Sequence, residues 1–326
     1  MKLQTKTIYC SVRHKLLPVI LLTSHIFWLG SCGASQPISN DPSGGSAIIL
    51  TDVDFDPESL IPETQPVADY LAANLKKSGI TKGEVKIAPD VNTVAEWMTS
   101  GDVNLYFDSV FPAMLVMEKS GATPILRRWK DGVPEYNTFF ITRKNGVLDD
   151  LASLQGTMMA MQKPSSSSGF MFPLIELMDA GLNPVAKAEA NHSVEEDEIG
   201  YIFSGEDETT VEWVLNGKVQ AGAVDSETWA EVSDTDRKEL RVLAETKKYP
   251  RHMVVVGPSL SSTQVEAVKA VLLDMEDSRK GREALVEFSE TAEFDEFPNG
   301  ADEAVLELQD AYNRVKEHLA TQKIAN

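Results

Sequence analysis

A run of four serines at residues 165–168, set between two apolar segments, most constrains how this chain can fold. Residues 157–161 are short and apolar, as in a buried strand, and residues 170–178 are apolar enough for a buried helix. Where a strand leads through a serine loop into a helix, backbone N–H groups, serine hydroxyls and the positive end of the helix point toward one place. This order predicts an oxyanion site. The alternative is a serine N-cap on an ordinary loop.

Apolar strands and amphipathic helices alternate on both sides of this stretch, with short loops between them. In the first set strands are predicted at 47–51, 84–88, 103–107 and 124–126, and helices from Pro66, after Asp90 and at 109–120. In the second set strands are predicted at 136–143, 157–161, 200–203, 219–224, 241–243 and 253–256. Three helical segments follow, at 262–276, 278–289 and 302–319. The pattern predicts two α/β units, the first with a parallel sheet, and a helical return.

The N-terminus has the organisation of an export signal. Four basic residues precede an apolar segment at 16–29, which is too short for a comfortable membrane span. The segment ends in Leu29-Gly30-Ser31-Cys32, which resembles the bacterial lipobox. The resemblance implies cleavage before Cys32 and a lipid on its thiol. The alternative is an ordinary signal peptide with a chance cysteine. Small and polar residues at 32–45 predict a flexible tether.

Charge and residue usage exclude several classes of function. The net charge of −20 argues against nucleic acid, which needs a basic surface, so an anion would have to be captured by local donors. The second cysteine, Cys10, lies in the segment to be removed, and the five histidines lack ligand spacing. We therefore expect no disulfide, no metal and no cofactor. No nucleophile motif is present, so we expect no enzyme activity. The basic run at 127–130 predicts a solvated face, and the alternative is that it reaches the binding cleft.

Three blocks in order resemble the phosphonate/phosphite-binding family of ABC-importer receptors, which are type II periplasmic binding proteins. Along the chain they are residues 102–114, the serine block at 163–173, and the block at 203–226 with Asn216-Gly217 and Val224-Asp225-Ser226. The resemblance implies an α/β fold with two lobes joined by two crossover segments. It also implies a ligand cleft between the lobes.

The family roles carry over onto individual residues of this chain. The resemblance implies that Ser166, Ser167 and Ser168, with Gly169 after them, hold the phosphonate oxygens. It also implies that Tyr106 lines the cleft. We further expect Tyr136, where the chain leaves the first lobe, and Asp225, at a strand end, to face the ligand.

Two aspartates depart from the family pattern. Asp207 stands where the family commonly has a histidine, and Asp108 stands where an uncharged residue is usual. A carboxylate repels a phosphonate at short range. Either these side chains point away, or they bind a cationic end of the ligand, or the ligand is not a phosphonate. The structural alternative for both is capping of a helix N-terminus.

The predicted organisation is a signal peptide at 1–31, a tether at 32–45, a first lobe at 46–136 plus 258–326, and a second lobe at 137–257. We expect a monomeric receptor, anchored to the bilayer through Cys32 on the periplasmic or cell-surface side. It would deliver a phosphonate, phosphite or phosphate-like oxyanion to an ABC permease and its ATPase. The alternative is a ligand-sensing partner of a membrane signalling kinase.

Overall fold

The computed structural model describes residues 45–54 and 57–325, with the backbone alone for the last three of them. The predicted signal peptide, Cys32 and the tether up to residue 44 lie outside the described residues. Within the described part, no helix is both long enough and apolar enough to cross a membrane.

The described residues form strands and helices in alternation. The strands are β1 Ser46–Val53, β2 Ile80–Ala88, β3 Leu105–Asp108, β4 Thr123–Arg128, β5 Glu135–Tyr136, β6 Thr138–Arg143, β7 Met158–Met161, β8 Asn183–Ala186, β9 Glu198–Phe203, β10 Ala221–Asp225, β11 Leu240–Glu245, β12 Tyr249–Pro250, β13 His252–Val256 and β14 Phe294–Asp295. The helices are α1 Pro57–Asn74, α2 Val91–Ser100, α3 Val110–Ser120, α4 Phe172–Asp179, α5 Asp207–Leu215, α6 Ser226–Glu231, α7 Asp234–Glu239, α8 Ser262–Leu273, α9 Arg279–Glu287 and α10 Ala301–Ala325.

The first sheet has six strands in the order β14-β4-β13-β3-β1-β2. Strand β1 pairs in parallel with β2 and β3, whereas β13 pairs antiparallel with β3 and β4. The sheet is therefore mixed, and the prediction of a parallel sheet was wrong for its β13 side. Helix α2 begins after Asp90 as predicted, because the Asp90 carboxylate accepts the N–H groups of Asn92 and Thr93 at 2.8 and 3.0 Å.

The second sheet has the order β11-β6-β10-β7-β9-β8. Strand β7, predicted from its apolar residues, lies between β10 and β9 and is parallel to both. All four of its residues are buried, as expected for a strand covered on both faces. The carboxyl end of β7 leads directly into the serine run.

Two crossover segments connect the sheets, as the sequence predicted. The chain leaves the first sheet through β5 and returns through β12, and these two strands pair antiparallel with Tyr136 opposite Tyr249. The Tyr249 ring stacks on Phe172 of α4, with 3.7 Å between ring centroids. The crossovers are thus packed against the helix that follows the serine run.

Apolar packing holds the two sheets to their helices and to each other. One cluster joins α2 and α3 to β7, α4 and the C-terminal helix α10, so it includes side chains from both sheets. A second cluster lies between the first sheet and helices α1, α8 and α9. A third covers the face of the second sheet that packs on α5. Helix α10 also contacts α3 and α4 directly, because Tyr312 donates to Glu118 and Arg314 bonds Asp179.

The structure corrects four of the sequence predictions. Residues 253–256 form part of β13 in the first sheet, not in the second. The prediction failed because an apolar run indicates a buried strand but not its partners. Helix α1 begins at Pro57, and Pro66 lies inside it. Strand β8 was missed at Pro184, although proline is tolerated on an edge strand. Arg127 and Arg128 are buried rather than solvated.

Candidate binding site

A polar cavity of about 260 Å³ lies where α3, the serine run and the crossovers meet. It is lined by serine hydroxyls, a phenol, two basic side chains and four carboxyl groups, together with a few apolar residues. A more open groove of about 710 Å³ lies between α1 and α9, but none of the predicted site residues line it. We therefore place the candidate site in the smaller cavity.

The serine run folds into a single turn of π-helix, Ser167–Met171, before α4. Ser166 caps this turn, because its Oγ accepts the N–H of Gly169 at 2.9 Å. The N–H of Met171 bonds the carbonyl of Ser166 at 3.1 Å, five residues back. Such π turns are rare and occur frequently at functional sites. For Ser166 the capping alternative is thus what the structure shows.

Gly169 is required by close packing rather than by contact with the cavity. A Cβ added at this position would come within 2.4 Å of Gln162 Cβ, so only glycine fits. Gly169 does not line the cavity, and its N–H is already bonded to Ser166. The structure thus gives Gly169 a structural role in the turn, and its contact with the ligand stays a prediction.

Ser167 connects the serine turn to the first sheet. Its Oγ accepts the N–H of Phe111 in α3 at 2.7 Å and donates to Ser109 Oγ at 2.9 Å. The side chain of Ser109, the N-cap residue of α3, makes no capping hydrogen bond. The Ser167 hydroxyl, which follows a strand of the other sheet, caps the N-terminus of α3 instead. The N-terminus of α3 and the π turn that leads into α4 are therefore brought to the cavity together.

Tyr136 and Ser168 form the crossover side of the cavity. The Tyr136 phenol hydrogen bonds the Ser168 side chain, and Thr138 Oγ1 donates to the Ser168 carbonyl at 2.7 Å. Burial raises the pKa of Tyr136 to about 12, so the phenol stays protonated and can donate. The Arg251 guanidinium lies 4.7 Å from the centre of the Tyr136 ring.

Asp108 and Asp52 line the first-sheet side of the cavity. Asp108 accepts hydrogen bonds from the Tyr106 hydroxyl and from the N–H and Oγ of Ser109, the latter two at 2.6 and 3.1 Å. Burial raises the pKa of Asp108, although these hydrogen bonds oppose the rise. Burial and the nearby charge of Asp108 raise the pKa of Asp52 to about 7.

Tyr106 is not a lining residue, which corrects the role that the family resemblance implied. It is fully buried in β3 and does not border the cavity. Its hydroxyl donates to Asp108, so it acts on the cavity only through that carboxyl group.

Asp207 and Asp225 line the second-sheet side. Asp207 is 6% exposed, and its Oδ2 accepts a hydrogen bond from Gln162 Nε2 at 2.8 Å. It is the first residue of α5, so it lies at a helix N-terminus as the structural alternative predicted, although its side chain makes no capping hydrogen bond. Asp225 does cap a helix, because its Oδ1 accepts the N–H of Thr228 at 2.7 Å. Asp108 lies just before the N-cap residue of α3 and bonds only to Tyr106 and Ser109.

The two basic side chains of the cavity, Lys163 and Arg251, were not predicted as site residues. Arg251 pairs with Glu227 at 2.7 Å and with Asp131 at 3.0 Å. By contrast Arg127, in the basic run that drew attention in the sequence, pairs with Asp295 and Glu135 and does not reach the cavity. The signal for Lys163 was its position at the start of the serine block.

Asp52, Ser109, Gln162 and Ser165 also line the cavity without having been predicted. Asp52 lies near the carboxyl end of β1 and Ser109 follows β3, and these positions could have indicated both residues. Of the predicted residues, the three serines 166–168, Tyr136, Asp108, Asp207 and Asp225 come together around this one cavity. Within the described residues, no group of His, Cys, Asp or Glu side chains is arranged to hold a metal ion.

Comparison with known proteins identifies a family. A family model described as the periplasmic substrate-binding protein of a phosphonate ABC transporter matches residues 52–300. The phosphate-import protein PhnD of Mycolicibacterium smegmatis is 30% identical over 159 residues, which cover 47% of this chain and 48% of that protein. The chain thus matches about half the length of this curated relative.

Solved structures show the same fold. XAC2383 from Xanthomonas citri, bound to chloride, has a TM-score of 0.78 at 24% identity and covers 83% of this chain and 99% of its own. PhnD1 from Prochlorococcus marinus, in complex with methylphosphonate, has a TM-score of 0.56 at 18% identity and covers 81% and 98%. These likenesses confirm the predicted α/β fold with two lobes and two crossover segments.

Proposed function

Because this chain belongs to the family of periplasmic substrate-binding proteins of phosphonate ABC transporters, we propose that it binds a phosphonate, phosphite or phosphate-like oxyanion in the cavity at the serine turn. The protein would deliver this ligand to an ABC permease and its ATPase. One observation carries the proposal: the hydrogen bond from the Phe111 N–H to Ser167 brings the N-terminus of α3 and the π turn before α4, from the two lobes, to a single polar cavity.

The donors around the cavity suit an oxyanion. Helix N-termini favour negative charge, and serine hydroxyls and a protonated Tyr136 phenol supply further hydrogen bonds. Lys163 adds a positive charge. Hydrogen bonds to a charged ligand contribute on the order of 1.5–3 kcal/mol each. These donors therefore oppose the unfavourable charge of the neighbouring carboxylates.

Lobe closure is the proposed mechanism. An oxyanion held by the serine turn and by the N-terminus of α3 contacts both lobes at once, so it stabilises the closed state over the open one. We assign β13 to the first lobe, because it pairs in the first sheet, and keep the other proposed lobe boundaries. We also retain the proposals that the protein is a monomer and that Cys32 carries the lipid anchor.

A thermal-shift panel tests the ligand class. The purified protein would be heated with methylphosphonate, phosphite or phosphate, and with sulfate and L-arginine for comparison. A ligand present at 100 times its dissociation constant stabilises the folded state by roughly 2.7 kcal/mol. We expect a shift with at least one of the three phosphorus oxyanions. No shift with any of the three would contradict the proposed function.

A further inference from the structure

Carboxyl groups outnumber basic groups around the cavity. Four carboxyl groups line it and two cations face them: Asp52, Asp108, Asp207 and Asp225 against Lys163 and Arg251. Arg251 is already paired with two other carboxylates, Glu227 and Asp131. An anion entering this cavity would meet several negative charges at short range unless some of the carboxyl groups were neutral.

Asp207 differs from the other three carboxyl groups in its hydrogen bonding. Its Oδ2 accepts from Gln162, but its Oδ1 is buried and has no hydrogen-bond partner among the described residues. A buried carboxylate oxygen without a donor is unfavourable, whereas a protonated carboxyl group becomes a donor itself. By contrast, Asp108 accepts three hydrogen bonds.

The groups around Asp207 also favour its neutral form. Asp225 at the end of β10 and the exposed Glu208 and Glu206 at the start of α5 are negative, and Lys163 is the opposing cation. Burial, followed by the charges of Asp225, Glu208 and Glu206, raises the pKa of Asp207 to about 8. An anion placed in the cavity adds negative charge and raises that pKa further.

We propose that the carboxyl group of Asp207 is protonated and neutral in the ligand-bound protein. Oxyanion binding then takes up a proton from solvent whenever the free protein holds Asp207 ionised. The proton bonds to the carboxylate of Asp207, and the resulting O–H donates toward the ligand. Asp207 thereby becomes a specificity-determining residue that favours a simple anion. This inference rests on the proposed function.

Calorimetric titration with methylphosphonate tests the proton uptake. Titrations in buffers of different ionisation enthalpy give the number of protons bound per ligand. Below pH 8 Asp207 is already protonated and contributes no uptake. Above pH 8 we expect an uptake approaching one proton and an affinity that falls by up to about tenfold per pH unit.

The variant Asp207→Asn distinguishes proton uptake by this carboxyl group from proton uptake by the ligand. The asparagine amide is a permanent donor of the same shape, so the variant should lose the extra uptake and the extra fall in affinity. The matched control is Glu212→Gln, which removes an exposed charge further along α5 and should retain both. An infrared difference spectrum of the wild-type protein should show a carboxylic-acid band on binding above pH 8 that the variant lacks.

Three results would overturn the inference. Equal proton uptake by the wild type and Asp207→Asn, with no carboxylic-acid band, would assign the proton to the ligand. Proton release, with an aminoalkylphosphonate bound more tightly by the wild type than by Asp207→Asn, would show an ionised Asp207 facing a cation. No binding of methylphosphonate, phosphite or phosphate by the wild type would overturn the proposed function and this inference with it. In the first two cases the proposed function would stand.

Discussion

The hydroxyl of Ser167, in the turn that follows a strand of the second sheet, accepts a hydrogen bond from the backbone N–H of Phe111 in a helix of the first sheet, at 2.7 Å. Ser167 is 1% exposed, so this bond is formed away from solvent. It satisfies one of the N–H groups that a helix N-terminus leaves without a partner. The contact joins the two lobes at the cavity.

Ser166 is expected to matter for stability more than for ligand binding. Replacing Ser166 with alanine removes the acceptor for the N–H of Gly169, so the π turn loses its cap. The free energy of unfolding should fall by about 1 kcal/mol. Chemical denaturation measures this change. An unchanged unfolding midpoint would show that the cap does not stabilise the turn.

Tyr136→Phe should weaken oxyanion binding without destabilising the protein much. The substitution removes the phenol that bonds Ser168 but keeps the ring that packs against Phe172 and Arg251. We expect an affinity loss of roughly 10-fold, which corresponds to about 1.4 kcal/mol. Because the pKa of Tyr136 is about 12, this loss should be the same across the neutral pH range. A loss that varies with pH near neutrality would contradict this role.

Asp52 should make folding less favourable as the pH rises. Its folded-state pKa of about 7 exceeds its ordinary value of 3.8, so the folded protein binds the proton more tightly than the unfolded chain does. The stabilising contribution is complete below pH 3.8 and is lost as the pH rises through about 7. Asp52→Asn should flatten this part of the stability profile, with a gain of about 1 kcal/mol above pH 7, reduced by solvent in the cavity. Denaturation at a series of pH values measures both slopes, and parallel slopes would contradict the expectation.

Cys32→Ser should release the protein from membranes if Cys32 carries the lipid. Acyl chains anchor by roughly 0.8 kcal/mol per buried CH₂ group, so several chains hold a protein firmly to the bilayer. Fractionation of cells that express the wild type and the variant measures the change. Equal membrane association of both would contradict the lipobox interpretation.

The sequence predicted the serine turn well because its signals are local. An apolar strand, a serine run and an apolar segment lie within residues 157–178, and the structure places β7, the π turn and α4 there. The sequence signal for the helix cap at Asp90 was local in the same way. The three serines of the turn, with Tyr136, Asp108, Asp207 and Asp225, all line one cavity.

Contacts between distant segments could not be predicted in the same way. Arg251 reaches the cavity from the return crossover, and Asp52 from the end of β1, because the fold brings these segments together. No pattern near Arg251 indicates such an approach, whereas the position of Asp52 at a strand end is only a weak indication of it. Tyr106 shows the opposite error, because a position in a motif does not reveal whether a side chain faces the cavity or the core. Strand β13 was assigned to the wrong sheet, since strand pairing is also a long-range property.

The most direct test of oxyanion binding at the serine turn is a calorimetric titration of methylphosphonate into the wild type and Ser167→Ala. The control is Ser120→Ala, at the other end of α3, where the hydroxyl donates to the carbonyl of Val116 and accepts the N–H of Ala122, away from the cavity. The ligand would take the hydrogen that Ser167 otherwise donates to Ser109, so loss of the Ser167 hydroxyl should weaken binding by about tenfold or more, or roughly 1.4 kcal/mol. Ser120→Ala should bind as the wild type does. Equal affinity in all three proteins would contradict a site at the serine turn.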